Sequence, residues 1–285
     1  RNEEQIPSAA AYSLHSEPVM GKTIQCMVGE EHRVNRALIS PAFRSRVVPD
    51  YIEPVLDPVT NDLIDRMASE DEVDLVAAFT KQLPFSVITR LLGIPSRHDG
   101  DFQRWALGLI SYPSDPEGAL AASAEFTDYL RPLVSSRRAD PGDDLLSMLA
   151  TAEVDGATLS DEEIFSFVRL LFPAGADTTY LGLGNIITAM LTHPEVLEQC
   201  RAEPDLIPDL IEEGLRWESP VAILPRFAPQ EVEIGRELVP AQTPLLVAIT
   251  AANRDPDVFP DPDQFDLDRR PTNTMSFGLG VHFCL

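Results

Sequence analysis

The feature that most constrains the fold is one segment long enough to cross the whole molecule as a single helix. Ser160 and Glu163 form a capping box, a pattern that begins a helix, and the helical pattern continues to His193. These residues, 161–193, would span roughly 50 Å. Pro173 removes one backbone donor in mid-course, so we expect a kink there. Two helices that meet at Pro173 are the alternative.

The rest of the first 220 residues also favours helices, separated by turns that contain proline. Apolar residues recur at helical spacing in 55–67, 82–92 and 119–133. Residues 140–163 carry eight acidic side chains and no Lys or Arg, which is typical of a solvated, flexible connection.

The pattern changes after residue 220. Residues 232–239 alternate around Gly235, as in a small hairpin, and 245–248 predict a short strand. Residues 253–270 are rich in Asp and Pro and predict irregular backbone. The chain therefore predicts a mainly α fold with a minor β part, in a single domain over 1–285.

Charge and composition exclude several classes of protein. The 285 residues carry 22 Lys and Arg against 46 Asp and Glu, a net charge of −24, which argues against a binder of nucleic acid or anionic membrane. No apolar run is long enough to span a bilayer, and residues 1–4 do not begin a signal peptide. Three widely spaced cysteines predict no disulfide framework. We therefore expect a cytoplasmic protein, and a first residue other than Met predicts a piece of a longer one.

The segment from Phe277 to Cys284 is the strongest candidate for chemistry. Gly278 and Gly280 permit tight turns that would place Cys284 at the tip of a loop, and backbone amides around a thiolate would lower its pKa. Zinc needs three or four protein ligands, and only His282 is near in sequence. A haem iron needs a single axial thiolate. A structural cysteine after a glycine turn is the alternative.

Four segments together resemble the cytochrome P-450 family. In chain order they are His32-Arg-Val-Asn-Arg36 followed by Ser40-Pro-Ala-Phe43, Ala174-Gly175-Ala-Asp177-Thr178-Thr179, Glu213-Gly-Leu-Arg216, and Phe277-Gly278-x-Gly280-x-His282-x-Cys284. They are similar to the helix that contacts haem, the oxygen-activation motif, the E-x-x-R motif and the haem-binding loop of that family.

The resemblance implies a cytochrome P-450 fold, incomplete at both ends, with haem b (iron protoporphyrin IX) and Cys284 as its axial ligand. It implies that His32, Arg36, Arg226 and His282 contact the two haem carboxylates, and that Ala174, Gly175, Phe277 and Gly278 make further contacts to haem. Ile223 and Leu224 would face the substrate. The hairpin has Gln242 where the family usually has Gly, and the parts that would precede the chain and follow Leu285 are absent.

Two motifs have implied roles that compete with simpler ones. Asp177 and Thr178 would deliver protons to dioxygen, or Thr178 would bond back to a helix carbonyl. Glu213 and Arg216 share a helix face and would lock to Arg269 in a structural triad, or form an ordinary exposed pair.

The resemblance implies a haem-thiolate monooxygenase that inserts one atom of dioxygen into an apolar small molecule. Electrons would come from NAD(P)H through a ferredoxin-like protein and its reductase, and Arg33 or Arg44 would face that acidic partner. A haem-free binding scaffold, or a haem enzyme of the peroxygenase or isomerase type, are the alternatives. Peroxide-using members of the family lack the acid and alcohol that this chain has at Asp177 and Thr178. The presence of the pair therefore favours oxygen activation driven by a reductase.

Overall fold

The structure, a computed structural model, describes residues 5–95 and 99–285; the opening residues considered for a signal peptide lie outside them. Helices dominate this part of the chain. They are α1 (Ser8–His15), α2 (Glu17–Met20), α3 (Gly29–Ile39), α4 (Pro49–Tyr51), α5 (Asp57–Met67), α6 (Gln82–Leu91), α7 (Asp99–Ile110), α8 (Pro116–Ala139), α9 (Leu145–Thr151), α10 (Asp161–Phe172), α11 (Thr178–Thr192), α12 (Pro194–Ala202), α13 (Ile207–Trp217) and α14 (Ile249–Ala252).

The strands form small antiparallel pairs rather than one large sheet. They are β1 (Glu153–Val154), β2 (Ala157–Thr158), β3 (Ile223–Ala228), β4 (Val232–Ile234), β5 (Glu237–Val239) and β6 (Thr243–Ala248). β1 pairs with β2, β4 with β5 in the predicted hairpin, and β3 with β6, where Ile223 lies opposite Ala248. The expectation of a mainly α fold with a minor β part is confirmed.

The central segment follows one path, interrupted by a single π-helical turn. Ser160 accepts a hydrogen bond from the amide of Glu163, and the Glu163 carboxylate accepts from the amide of Ser160, so the capping box is formed. α10 ends at Phe172, the wider turn Pro173–Asp177 follows, and α11 continues to Thr192. Pro173 has no N–H to donate, and one π turn absorbs the missing bond without ending the helix.

The core lies around α10, which is buried from Ile164 to Leu170. Aromatic rings from three helices meet at its end: Phe172 stacks on Phe102 of α7 at 4.7 Å between ring centroids, and Phe126 of α8 lies 5.6 Å from Phe172. This packing fixes the residues just before the π turn. None of the described helices is long and apolar enough to cross a membrane.

α11 leaves this core and packs against α13. The close approach occurs at Gly214, where a Cβ atom would lie 2.5 Å from the Ile186 side chain. Only glycine fits there without displacing Ile186. The contact therefore sets the distance between the central helix and the helix that carries Glu213 and Arg216.

The expectation of a flexible connection over 140–163 is wrong. The segment contains α9 and the β1–β2 hairpin, and Leu146 and Leu149 are fully buried. Asp144 caps α9 by accepting from the amide of Ser147 at 2.7 Å. The acidic residues that suggested a solvated linker thus serve in part as caps and turns around buried leucines.

Candidate functional site

Cys284 lies at the end of a loop shaped by two glycines. Gly278 and Gly280 have φ of 73° and 80°, values that favour glycine, and the Cys284 amide donates to the carbonyl of Phe277 at 3.0 Å. This bond closes the loop and leaves Cys284 exposed.

The loop differs from the sequence expectation in one respect. In the described part of the chain no backbone amide donates a hydrogen bond to the Cys284 sulfur, and the Cys284 amide itself donates to Phe277. The thiol is presented to solvent rather than enclosed by amides.

Large apolar side chains of the same loop are exposed together with Cys284. Phe277, Leu279, Val281 and Phe283 are all 44% exposed or more. Several large apolar groups exposed side by side are unusual in a water-facing loop and indicate a surface that another apolar body covers.

α3 supplies cationic and donor side chains next to this loop. The rings of His32 and His282 lie 4.2 Å apart, and Arg36 donates to the carbonyl of Phe283 at 2.7 Å. A cavity of about 710 Å³ opens between α3 and residues 280–282, and Arg33, Arg36 and Arg44 line it together with the two histidines. Three of the four residues expected to hold the carboxylates of a cofactor are thus brought together.

The fourth, Arg226, lies on β3 and has a partner that the sequence did not indicate. Its side chain hydrogen-bonds Tyr12 of α1, and its Nη1 donates to the carbonyl of Pro225 at 2.8 Å. Burial raises the pKa of Tyr12, and the positive charge of Arg226 opposes that rise. No periodicity or motif links residue 12 to residue 226, so only the fold reveals this contact.

Asp177 and Thr178 lie at the end of the π turn. The Thr178 hydroxyl donates to the carbonyl of Ala174 at 2.6 Å, the bond to a helix carbonyl that we considered as the alternative. Since that bond uses its only proton, the hydroxyl can only accept from a further group. Burial raises the pKa of the half-buried Asp177 carboxyl.

Glu213, Arg216 and Arg269 are in contact. Arg216 donates to both oxygens of Glu213, at 2.7 and 2.8 Å, and Arg269 Nε donates to Glu213 Oε1 at 3.1 Å. Glu213 and Arg216 are completely buried, so the ordinary exposed pair is excluded. Arg216 also donates to the carbonyls of Asn253 and Pro262 at 3.0 and 2.8 Å, so the cluster holds the irregular segment 253–269 in place.

Asn253 extends this network to the Cys284 loop and was missed in the sequence. It is fully buried, its Oδ1 accepts from the amide of Met275 at 2.6 Å, and its Nδ2 donates to Ser219 at 2.7 Å and to Ser276 at 3.0 Å. One side chain thus connects the segment after α13 to the start of the loop. An isolated asparagine in a stretch rich in Asp and Pro gives no sequence signal for this role.

The residues expected to face a substrate begin β3, whereas two residues expected to contact haem lie in the π turn. Ile223 and Leu224 begin β3, and Ile223 is 50% exposed. Ala174 and Gly175 lie in the π turn, where a Cβ at Gly175 would meet Ile88 at 3.2 Å.

The donor set fits one kind of group better than a protein-ligated metal ion. Among the described residues no cluster of three or more His, Cys, Asp or Glu side chains could hold a metal ion. One exposed thiol, an apolar loop and a flanking pair of histidines with Arg36 instead match a flat, largely apolar macrocycle that brings its own equatorial ligands and carries acidic substituents.

Comparisons with known proteins agree with this geometry. A family model for cytochrome P450 matches residues 114–285. Cytochrome P450 107B1 of Saccharopolyspora erythraea is 40% identical over 256 residues, covering 90% of this chain and 63% of that protein. The 6-deoxyerythronolide B hydroxylase of the same organism is 38% identical over 258 residues, covering 89% of this chain and 63% of that protein.

A solved structure gives the same result for the fold. The bacillaene polyketide synthase cytochrome P450 PksS of Bacillus subtilis superposes with a TM-score of 0.92 at 31% identity, covering 99% of this chain and 74% of that one. The chain therefore spans somewhat less than two thirds of the length of the two Saccharopolyspora relatives and about three quarters of this structure.

Proposed function

Because the chain belongs to the cytochrome P450 family, we propose that the whole protein is a haem-thiolate monooxygenase that acts on an apolar small molecule. The observation that carries the proposal is the exposed Cys284 on a closed glycine loop, held against the helix that presents His32 and Arg36. Family members use haem b, and the donor set described above fits that group.

When bound, a haem ligated by a thiolate would supply the activation of dioxygen for O–O cleavage. The chain's own residues would hold it: Cys284 would provide the thiolate, and His32, Arg36, Arg226 and His282 would donate to its two carboxylates. Phe277 and Gly278 contribute the apolar, close-fitting wall. Asn253 holds the start of the Cys284 loop, and the cluster of Glu213, Arg216 and Arg269 holds the segment that precedes it.

Proton delivery falls to the π turn. Insertion of one oxygen atom into a C–H bond consumes dioxygen, two electrons and two protons, and yields the alcohol and water. Asp177 can donate a proton over a wider pH range than an exposed aspartate, because burial raises its pKa. Thr178, whose proton is committed to Ala174, accepts a hydrogen bond and so holds a water molecule beside the acid.

The substrate class follows from the residues available to meet it. Ile223 and Leu224 on β3, with Ala174 and Gly175 on the π turn, offer an apolar surface. The named relatives include a hydroxylase of 6-deoxyerythronolide B and a polyketide biosynthesis enzyme, so a polyketide or similarly apolar natural product is the class we propose.

Electrons would arrive from NAD(P)H through a reductase and an acidic ferredoxin-like protein, and Arg44 is the residue we assign to that contact. Arg33 forms an ion pair with Glu30 at 2.6 Å, which neutralises it locally. Arg44 is exposed, lines the cavity beside residues 280–282, and has no ion-pair partner among the described residues. The described cysteines are unpaired, which suits a reducing cytoplasm.

A difference spectrum of the full-length protein tests the proposal. We expect the dithionite-reduced protein with carbon monoxide to show the strongly red-shifted Soret band of a thiolate-ligated haem, and Cys284→Ser to lose it. Cys200→Ala, at a buried cysteine elsewhere, should keep the band.

Each other outcome has a defined meaning. A folded protein without haem absorption would contradict the proposal and support a binding scaffold. Turnover with peroxide but not with NAD(P)H and redox partners would support a peroxygenase instead.

A further inference from the structure

α6 places two buried side chains against the central helix around its π turn. Phe85 and Ile88 lie one helical turn apart on α6, so they share one face of it. The Phe85 ring stacks on Phe172, the last residue before the turn, at 6.3 Å between ring centroids. α6 therefore meets the central helix where its regular hydrogen bonding is interrupted.

Ile88 lies against Gly175, in the middle of the turn. A Cβ atom at Gly175 would lie 3.2 Å from Ile88 Cδ1, and the next atom it would meet is Leu171 Cδ1 at 3.7 Å. Carbon atoms in good contact are about 3.5–4.0 Å apart, so the first distance is too short and the second is normal. The side of Gly175 on which a side chain would project is thus occupied by one methyl group of α6.

α6 has little freedom to move away from an added side chain. Phe85 and Ile88 are both buried, and Phe172 also stacks on Phe102 of α7. Because close-packed interiors yield little to an added group, a methyl group at residue 175 would displace the π turn as well as Ile88.

Residue 175 lies next to the acceptor of the hydrogen bond that orients Thr178. The Thr178 hydroxyl donates to the carbonyl of Ala174 at 2.6 Å, and this carbonyl belongs to the peptide group that joins Ala174 to Gly175. A displacement of Gly175 therefore moves the acceptor. Since the bond leaves the hydroxyl only its lone pairs for a further group, their direction depends on where the carbonyl lies.

We propose that Ile88 is a positioning residue for the site: its contact with Gly175 fixes the path of the π turn and, through the Ala174 carbonyl, the direction in which Thr178 accepts a hydrogen bond. Gly175 is then required by the proximity of α6, because any side chain there would compete with Ile88. The meaning of this contact for catalysis rests on the proposed function, whereas the packing itself does not.

The experiment is a compensating pair of substitutions. Gly175→Ala adds the methyl group that competes with Ile88, and Ile88→Val removes the Cδ1 atom with which it competes, so the double variant should regain what Gly175→Ala loses. Gly184→Ala is the matched control, since it adds the same group to α11 where a Cβ would meet nothing within 4 Å. Ile164→Val removes the same Cδ1 atom from a fully buried isoleucine of α10 and should not compensate.

The first readout is amide hydrogen exchange of the full-length protein over residues 174–178. Alanine is a better helix former than glycine, so without a collision Gly175→Ala would slow this exchange. We expect exchange to be about threefold faster or more instead, and the double variant with Ile88→Val to return to within about twofold of the wild type. Gly184→Ala should leave these amides as slow as in the wild type, or slower.

The second readout separates positioning from packing. In the carbon monoxide complex of the full-length protein, the infrared C–O stretching band responds to the polar groups around the bound gas, which the proposed function places beside Thr178. Gly175→Ala should shift or split this band, and Ile88→Val in the same chain should restore it. Gly184→Ala should keep the wild-type band.

Unchanged or slower exchange in Gly175→Ala would overturn the inference, and so would equal recovery with Ile88→Val and with Ile164→Val. Faster exchange with an unchanged C–O band would reject the positioning role. If Gly175→Ala alone does not fold, recovery of folded protein only with Ile88→Val supports the inference, and recovery with neither or with both contradicts it. A wild-type protein that binds no haem would defeat the proposed function, while hydrogen exchange would still decide whether Ile88 fixes the turn.

Discussion

At the scale of single residues, Glu213 is the shared hydrogen-bond acceptor of a buried cluster of charges. It accepts two hydrogen bonds from Arg216 and one from Arg269, and the amide of Asp266 donates to it at 3.0 Å. With no exposure to water, Arg216 depends on this carboxylate for its counter-charge. A buried pair of this kind matters to stability mainly through the cost of breaking it, because loss of one partner leaves the other buried and charged.

Glu213→Gln should therefore destabilise the protein by about 3 kcal/mol, since Arg216 stays buried and positive. The measurement is the free energy of unfolding from urea denaturation. Glu198→Gln is the matched control: it removes a carboxylate with the same i, i+3 spacing to an arginine, but on an exposed pair. The control should cost less than about 0.5 kcal/mol. Equal losses in the two variants would contradict a buried role for Glu213.

At the scale of elements, local patterns could be predicted and distant pairings could not. The capping box at Ser160, the turn at Gly235 and the glycines before Cys284 each act within a few residues, so the sequence contains their whole physical cause. The pairing of β3 with β6 joins residues 223–228 to 243–248 across the hairpin between them, and no local signal defines that register.

The site divides in the same way. The cysteine loop, the helix with His32 and Arg36, and the Glu213–Arg216 pair follow from motifs. The contacts of Tyr12 with Arg226 and of Asn253 with the cysteine loop do not follow from motifs, because each joins segments that only the fold brings together. The buried α9 was obscured for another reason: acidic caps dominated the composition of a segment whose leucines decide its structure.

Asn253 provides the test at this scale, because it ties three elements of the site with one side chain. Asn253→Ala removes three hydrogen bonds in a fully buried position, and we expect a loss of about 3 kcal/mol. Hydrogen exchange should show faster exchange at the Met275 amide, since its acceptor is gone.

The control is Asn185→Ala, which removes a single hydrogen bond, from Asn185 to the carbonyl of Glu218, and touches neither Asn253 nor Met275. It should cost about 1 kcal/mol and leave the Met275 amide protected. If Asn253→Ala leaves exchange at Met275 unchanged, the loop is held by other contacts.

At the scale of the whole molecule, charge is distributed unevenly. The net charge of −24 should repel an acidic partner, yet residues 31–46 carry four arginines and a single acidic residue. Of these, Arg33 is paired with Glu30 and Arg36 bonds the Phe283 carbonyl, whereas Arg44 and Arg46 are exposed. The positive field therefore emerges beside the loop of Cys284, where electrons would enter under the proposed function.

This distribution predicts where a redox partner docks and how salt affects it. Arg44→Glu should weaken binding of an acidic ferredoxin about five- to tenfold at low salt, because exposed charges at the edge of an interface act mainly on the association rate and are screened within about 10 Å at 0.1 M salt. Arg66→Glu makes the same charge change on an exposed arginine of α5 and should have little effect.

Association rates measured from low to high ionic strength should converge for the wild type and Arg44→Glu, because salt removes the long-range attraction that only the wild type has. A defect in Arg44→Glu that persists undiminished at high salt would mean that Arg44 touches the partner directly instead of steering it from a distance. Equal effects of Arg44→Glu and Arg66→Glu would place the docking surface elsewhere.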